Sequence, residues 1–152
     1  MSYLKRREPC VLFLEQGFGK DCREKLISSD FQVVCFAEKF PEETRLHQTV
    51  LDPCIIKLCH SEKYVLFTMD KGMRHTHLET IKKTECAIIA TESADKYAPI
   101  LWVNALITAK PEFLRRFKKQ ARPWFAHLQI TGNIRKIETI TLEMKTRRSR
   151  LK

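Results

Sequence analysis

Apolar residues come in short bursts along this chain. Cys10, Val11, Leu12, Phe13 and Leu14 run without a polar break and stop at Glu15. An unbroken run of that length predicts a strand buried on both faces, because a half-exposed strand would alternate. Similar runs at 31–36, 64–67 and 86–90 predict three more strands. Between the runs the spacing changes to that of helices. Residues 21–29 place Cys22, Leu26 and Ile27 on one side. Asp52 before Pro53 predicts a helix over 52–61, since Asp caps free N–H groups and Pro suits the first helical position. A shorter helix is expected at 77–84. A longer one is expected at 94–109, with Tyr97, Leu101, Ala105 and Thr108 on one face and Ile100, Val103 and Ile107 nearby. Pro111 opens another helix, to about residue 120. Residues 124–130 and 134–141 predict two strands joined at Gly132 and Asn133. Residues 37–50 predict a loop, with Pro41 and the acids Glu38, Glu42 and Glu43.

Strands alternating with helices predict an α/β domain with a mostly parallel, Rossmann-like sheet, helices on both faces and a C-terminal β-hairpin. No repeat or linker interrupts the chain. Residues 1–141 read as one domain and 142–152 as a basic, frayed tail. The length of 152 residues suits one domain with a sizeable core.

Charge and cysteine content narrow the setting. The formal net charge is +10, from 28 Lys and Arg against 18 Asp and Glu, which favours phosphate-rich partners or an acidic surface. No apolar stretch reaches transmembrane length, and the run behind the charged N-terminus ends at Glu15, too soon for a secretory signal. A cytoplasmic protein is the expectation. None of the six cysteines forms a C-x-x-C pair, so reduced thiols are expected rather than a zinc ribbon or a disulfide framework.

Ligands of open parallel sheets bind beyond the carboxyl ends of the strands. Glu15 follows the first predicted strand, and Asp70 lies just past the third. Asp52 heads the helix that feeds the third, which places it at the same edge of the sheet. Three carboxylates on one rim repel each other unless a cation lies among them, and hard oxygen ligands select Mg²⁺ or Mn²⁺. Each acid also has a plainer reading: Asp52 as a cap and Asp70 as a turn residue.

Val11 to Gly19, Phe31 to Val34, Phe40 to Thr44, Asp52, and Val65 to Lys71 together resemble the PIN-like ribonucleases. The branch most similar in order and spacing is the VapC-type toxin branch with a shortened PIN-like fold. Arg122 to Leu128 and Gly132 to Ile137 resemble its closing hairpin. The resemblance implies a metal-dependent endoribonuclease using Mg²⁺ or Mn²⁺, an RNA substrate, a cognate antitoxin and a possible homodimer. It carries Glu15, Asp52 and Asp70 onto the family's metal-binding and catalytic acids, and Thr68 onto its hydroxyl position. Two departures stand out. The first acid is commonly Asp and here is Glu. The usual fourth acid is not obvious, with Glu43 and Glu92 as candidates.

Basic residues supply the expected phosphate contacts. Lys71 and Arg74 follow Asp70. Arg115, Arg116, Lys118, Lys119 and Arg122 cluster in one stretch, and Lys145, Arg147, Arg148, Arg150 and Lys152 fill the tail. Contacts of this kind give salt-dependent affinity without sequence preference. Trp124 and Phe125 are candidates for stacking on bases but suit a core better. His75 and His77 make an H-x-H pair with no obvious further zinc ligand. Two other functions compete with the nuclease. One is a catalytically weakened PIN-like domain that binds RNA or protein. The other is a phosphoacceptor receiver domain, which wants an Asp nucleophile and a later Lys that Asp70–Lys71 does not supply.

Overall fold

The computed structural model describes residues 9–93 and 96–144. Six strands form one sheet: β1 (Val11–Leu14), β2 (Gln32–Cys35), β3 (Tyr64–Thr68), β4 (Ala87–Thr91), β5 (Trp124–Leu128) and β6 (Ile134–Thr139). Their spatial order is β2-β1-β3-β4-β5-β6. Neighbouring pairs are parallel from β2 through β5, and β6 is antiparallel to β5 as the closing hairpin.

Alternation along the strands sorts side chains into two cores. β1 sends Leu12 and Leu14 to one face and Phe13 to the other. β3 sends Val65 and Phe67 to the first face, and Tyr64 and Leu66 to the second. The first face is covered by α1 (Lys20–Ser28), α7 (Pro99–Thr108) and α8 (Lys110–Lys119). The second is covered by α2 (Phe36–Lys39), α4 (Asp52–Glu62), α5 (Met73–Thr76) and α6 (Leu78–Lys82). A parallel sheet needs both faces covered, which explains why its strands are continuous apolar runs.

Several elements differ from expectation. The segment 37–50 is not a plain loop. Phe36 leaves the predicted strand and opens α2, where Glu38 accepts from the Cys35 backbone N–H at 3.0 Å. Pro41 then starts α3 (Pro41–Arg45). The helix expected at 77–84 is α6, and a further short helix, α5, precedes it and meets it at His77. The helix expected from residue 94 begins at Pro99, while residues 94 and 95 lie outside the described part. Its buried side is Trp102, Val103, Ala105 and Leu106, with Tyr97 and Leu101 exposed. The stripe was misplaced because Trp102 and Leu106, one position on, are the side chains that reach the sheet. Trp124 and Phe125 are fully buried in the core. All six cysteines are free thiols. The tail residues from 145 onward lie outside the described part.

The hairpin turn is fixed from outside. Gly132 has φ +91°, and a Cβ there would meet Thr108 Cγ2 of α7 at 2.5 Å. Only glycine meets both demands at once.

Candidate functional site

The winding direction reverses between β1 and β3. β1 leads into α1 on the first face, whereas β3 leads into α5 on the second. Loops leaving adjacent strands in opposite directions open a crevice at the carboxyl edge. Glu15 sits in that crevice. Its side chain is half-buried and both carboxylate oxygens are held: Thr68 Oγ1 donates at 2.7 Å and the Met69 N–H at 2.7 Å. Thr68, fully buried, also accepts from the Asp70 N–H at 3.0 Å. One hydroxyl therefore links the end of β1 to the turn after β3. Asp70 Oδ1 accepts from the Gly72 N–H at 3.0 Å, which fixes the turn that carries Lys71.

Asp52 comes from the first turn of α4. Its carboxylate is 33% exposed, and His77 Nε2 lies 3.3 Å from Oδ2. Of the H-x-H residues, His77 thus pairs with an acid, joining α4 to the α5–α6 junction. Burial pushes the Glu15 carboxyl above its ordinary range. Its bonds from Met69 and Thr68 oppose that rise, while the charges of Asp52 and Asp70 add to it. Both other predicted acids therefore act electrostatically on Glu15. Of the two candidates for a fourth, Glu43 lies in α3, and Glu92 follows β4 with the Gln129 amide 3.5 Å from its Oε1.

The donors are hard oxygens, which suits Mg²⁺ or Mn²⁺. Among the described residues, no three His, Cys, Asp or Glu side chains stand close enough together to hold a metal ion. Mg²⁺ keeps several waters and commonly takes only one or two carboxylates, completing its shell with substrate phosphate. The donor set fits an ion held in that way and does not form a closed protein cage.

The predicted basic residues divide by position. Lys71 is exposed beside Asp70. Arg74 is committed to Glu138 of β6, with Nε and Nη2 at 2.9 and 2.6 Å from Oε1. The cations of α8 lie at the opposite, amino edge. Lys110 Nζ donates to the Ser29 carbonyl, and Lys118 shares a hollow with Pro9 and Gln32 at the strand starts. Arg115 and Arg116 both bind Glu112, whose carboxyl they hold below its ordinary range. Lys119 is exposed, and Arg122 lies 4.7 Å from the centre of the Phe117 ring.

The carboxyl edge holds residues that sequence reasoning passed over. Thr68 pairs in register with Ala90, Ala90 with His127, and His127 with Arg135. Thr68, Ala90 and His127 therefore lie in one row on the second face. Burial holds the half-buried His127 imidazole below its ordinary pKa. The charges of Lys136, Lys71 and Arg74 add to that effect, and Glu92 opposes it. His127 was visible only as one polar position in an apolar strand, and its row exists only after the sheet has formed. No Lys follows β5 before the turn, where Gln129, Ile130 and Thr131 stand instead, which leaves a receiver-type site without its cation.

Comparison with protein-family models, curated proteins and solved structures finds no match.

Proposed function

We propose that the protein is a Mg²⁺- or Mn²⁺-dependent endoribonuclease of PIN-like type, the toxin of a toxin–antitoxin pair. The observation that carries this reading is that Thr68 holds Glu15 at the end of β1, where the charges of Asp52 and Asp70 both act on it. The toxin role, the cognate antitoxin, a homodimer and a cytoplasmic setting rest on the sequence resemblance. No helix among the described residues is long and apolar enough to cross a membrane.

Glu15, Asp52 and Asp70 would hold the ion. A bound ion would lower the pKa of a water and polarise the scissile phosphate. The chain's own residues set the geometry. Thr68 and the Met69 N–H fix both Glu15 oxygens, each of which retains a lone pair for a ligand. The Gly72 N–H orients Asp70, and His77 restrains Asp52. Lys71 stands next to Asp70 for a backbone phosphate, and His127 with Lys136 extends the polar floor along the strand row.

One observation favours the second reading, a weakened PIN-like domain that binds RNA or a protein without cutting. Glu15 already has both oxygens in hydrogen bonds, and among the described residues no three-ligand group forms around it. Cleavage of single-stranded RNA by purified protein in Mn²⁺ or Mg²⁺, against EDTA and an Asp70→Asn control, separates the two. Metal-dependent cutting lost in the variant supports the nuclease. A folded protein that binds RNA and never cuts it favours the second reading.

A further inference from the structure

A cavity of about 400 Å³ opens beside the acids, on the far side of Glu15 from Asp70. Its walls come from the Glu15 loop, the first turns of α1, the end of β2 and the helices α2 and α3. The lining is mostly apolar, with Phe18 and Phe36 contributing ring surface. Both rings are anchored from behind: Phe18 stacks on Phe67 at 4.6 Å and Phe36 on Phe40 at 4.9 Å. The polar contributions are few. Glu15 borders one end. Arg23 borders it too, its Nε paired with Glu38 Oε1 at 3.5 Å. The volume is that of a small-molecule site, and apolar walls with a few convergent polar groups are what such sites show.

Resting on the nuclease reading, we propose that this cavity seats one unpaired base of the RNA next to the scissile phosphate. Three observations select that occupant. Glu15 borders both the cavity and the acid cluster, so a chain held at the acids passes the cavity mouth within one nucleotide. Lys20 and Arg23 at the same wall bring positive charge to the adjoining phosphate. The Arg23 guanidinium carries N–H donors beyond the Nε that faces Glu38, and every base carries ring or exocyclic acceptors. Single-stranded RNA is read in this manner, by splayed bases on aromatic surfaces with edge hydrogen bonds. The consequence is a base preference, which phosphate contacts alone do not give.

The test uses the full chain and two variants. Ala37→Trp fills the cavity from the exposed side of α2 and replaces none of the acids. Arg23→Met removes the donor, and serves where the tryptophan variant does not fold. In EDTA, the four nucleoside monophosphates are titrated against the ¹⁵N-labelled protein, with ribose 5-phosphate as the base-free control. Amide signals of Phe18, Cys35 and Thr44 are expected to move with nucleotides and not with the control, and to stay fixed in the variants. In Mn²⁺, oligoribonucleotides differing at one position are expected to be cut at rates at least tenfold apart, and the variants to narrow that spread to under threefold. Cutting that is indifferent to base overturns the base seat and leaves the nuclease standing. Nucleotide-induced shifts in a protein that cuts nothing keep the base seat and sink the nuclease. Cavity signals unmoved by every nucleotide overturn the proposal in favour of a protein side chain as occupant.

Discussion

The two edges of the sheet handle charge in different ways. At the amino edge, the cations of α8 are close in sequence and meet their partner within one turn, as Arg115 and Arg116 do on Glu112. At the carboxyl edge, Glu15, Asp52 and Asp70 come from three separate places in the chain, the end of β1, the first turn of α4 and the turn after β3. Local pairing neutralises a charge run at the surface, where such pairs contribute little. At the end of β1, burial raises the Glu15 carboxyl, and the like charges of Asp52 and Asp70 add to the rise. A charge run and a set of scattered acids are therefore different kinds of signal.

The strongest way to break this comparison is Asp70→Asn. Cleavage should fall by about a hundredfold or more, in keeping with the size of a lost catalytic group, with an unchanged thermal melt. An active variant would remove the acid rim from the mechanism. Thr68→Val is next. It removes the donor to Glu15 and the acceptor for the Asp70 N–H, and outer-shell losses of this kind weaken metal affinity by roughly 10–100-fold. Calorimetric titration with Mn²⁺ would measure it. Phosphate contacts come third. Lys71→Ala with Lys136→Ala should weaken RNA affinity several-fold and reduce its salt slope by about two phosphate contacts. Arg115→Ala with Arg116→Ala should change it less than twofold, and equal effects at the two edges would dissolve the contrast.

The smallest expected effect is on the pH dependence of stability without metal. The Glu15 carboxyl is raised in the folded protein, so its neutral form favours folding. That contribution is fully present below the unfolded pKa of about 4.3 and is lost as pH rises through the folded value. Glu15→Gln keeps a neutral side chain at every pH. Its melting temperature should fall less than that of the parent as pH rises from about 4 to 7, measured in EDTA. Parallel curves would mean that Glu15 titrates as an ordinary surface acid.

The strands and their sheet class were legible because a doubly covered parallel sheet writes itself as unbroken apolar runs. Glu15 and Asp70 were legible for the same reason, as the first acids past such runs. Asp52 could be placed because Pro53 marks the helix start. The pieces that were missed depend on contacts across the chain. Segment 37–50 looked like a loop because α2 and α3 are only four and five residues long, too short to show a period. His127 joins the rim through strand register, and the base-sized cavity needs α1, β2, α2 and α3 assembled around Glu15. The α8 cations were legible as a cluster, but composition does not record which edge of the sheet they occupy.

The Arg74–Glu138 pair spans 64 residues and ties the segment after Asp70 to the last strand. Synthesis proceeds from the N-terminus, so all three acids leave the ribosome well before Glu138 does. A nascent chain that ends before β6 has every acid of the rim, yet the helix next to Asp70 still lacks its clamp. Maturation of the site is in this sense timed by translation, with the final strand completing it.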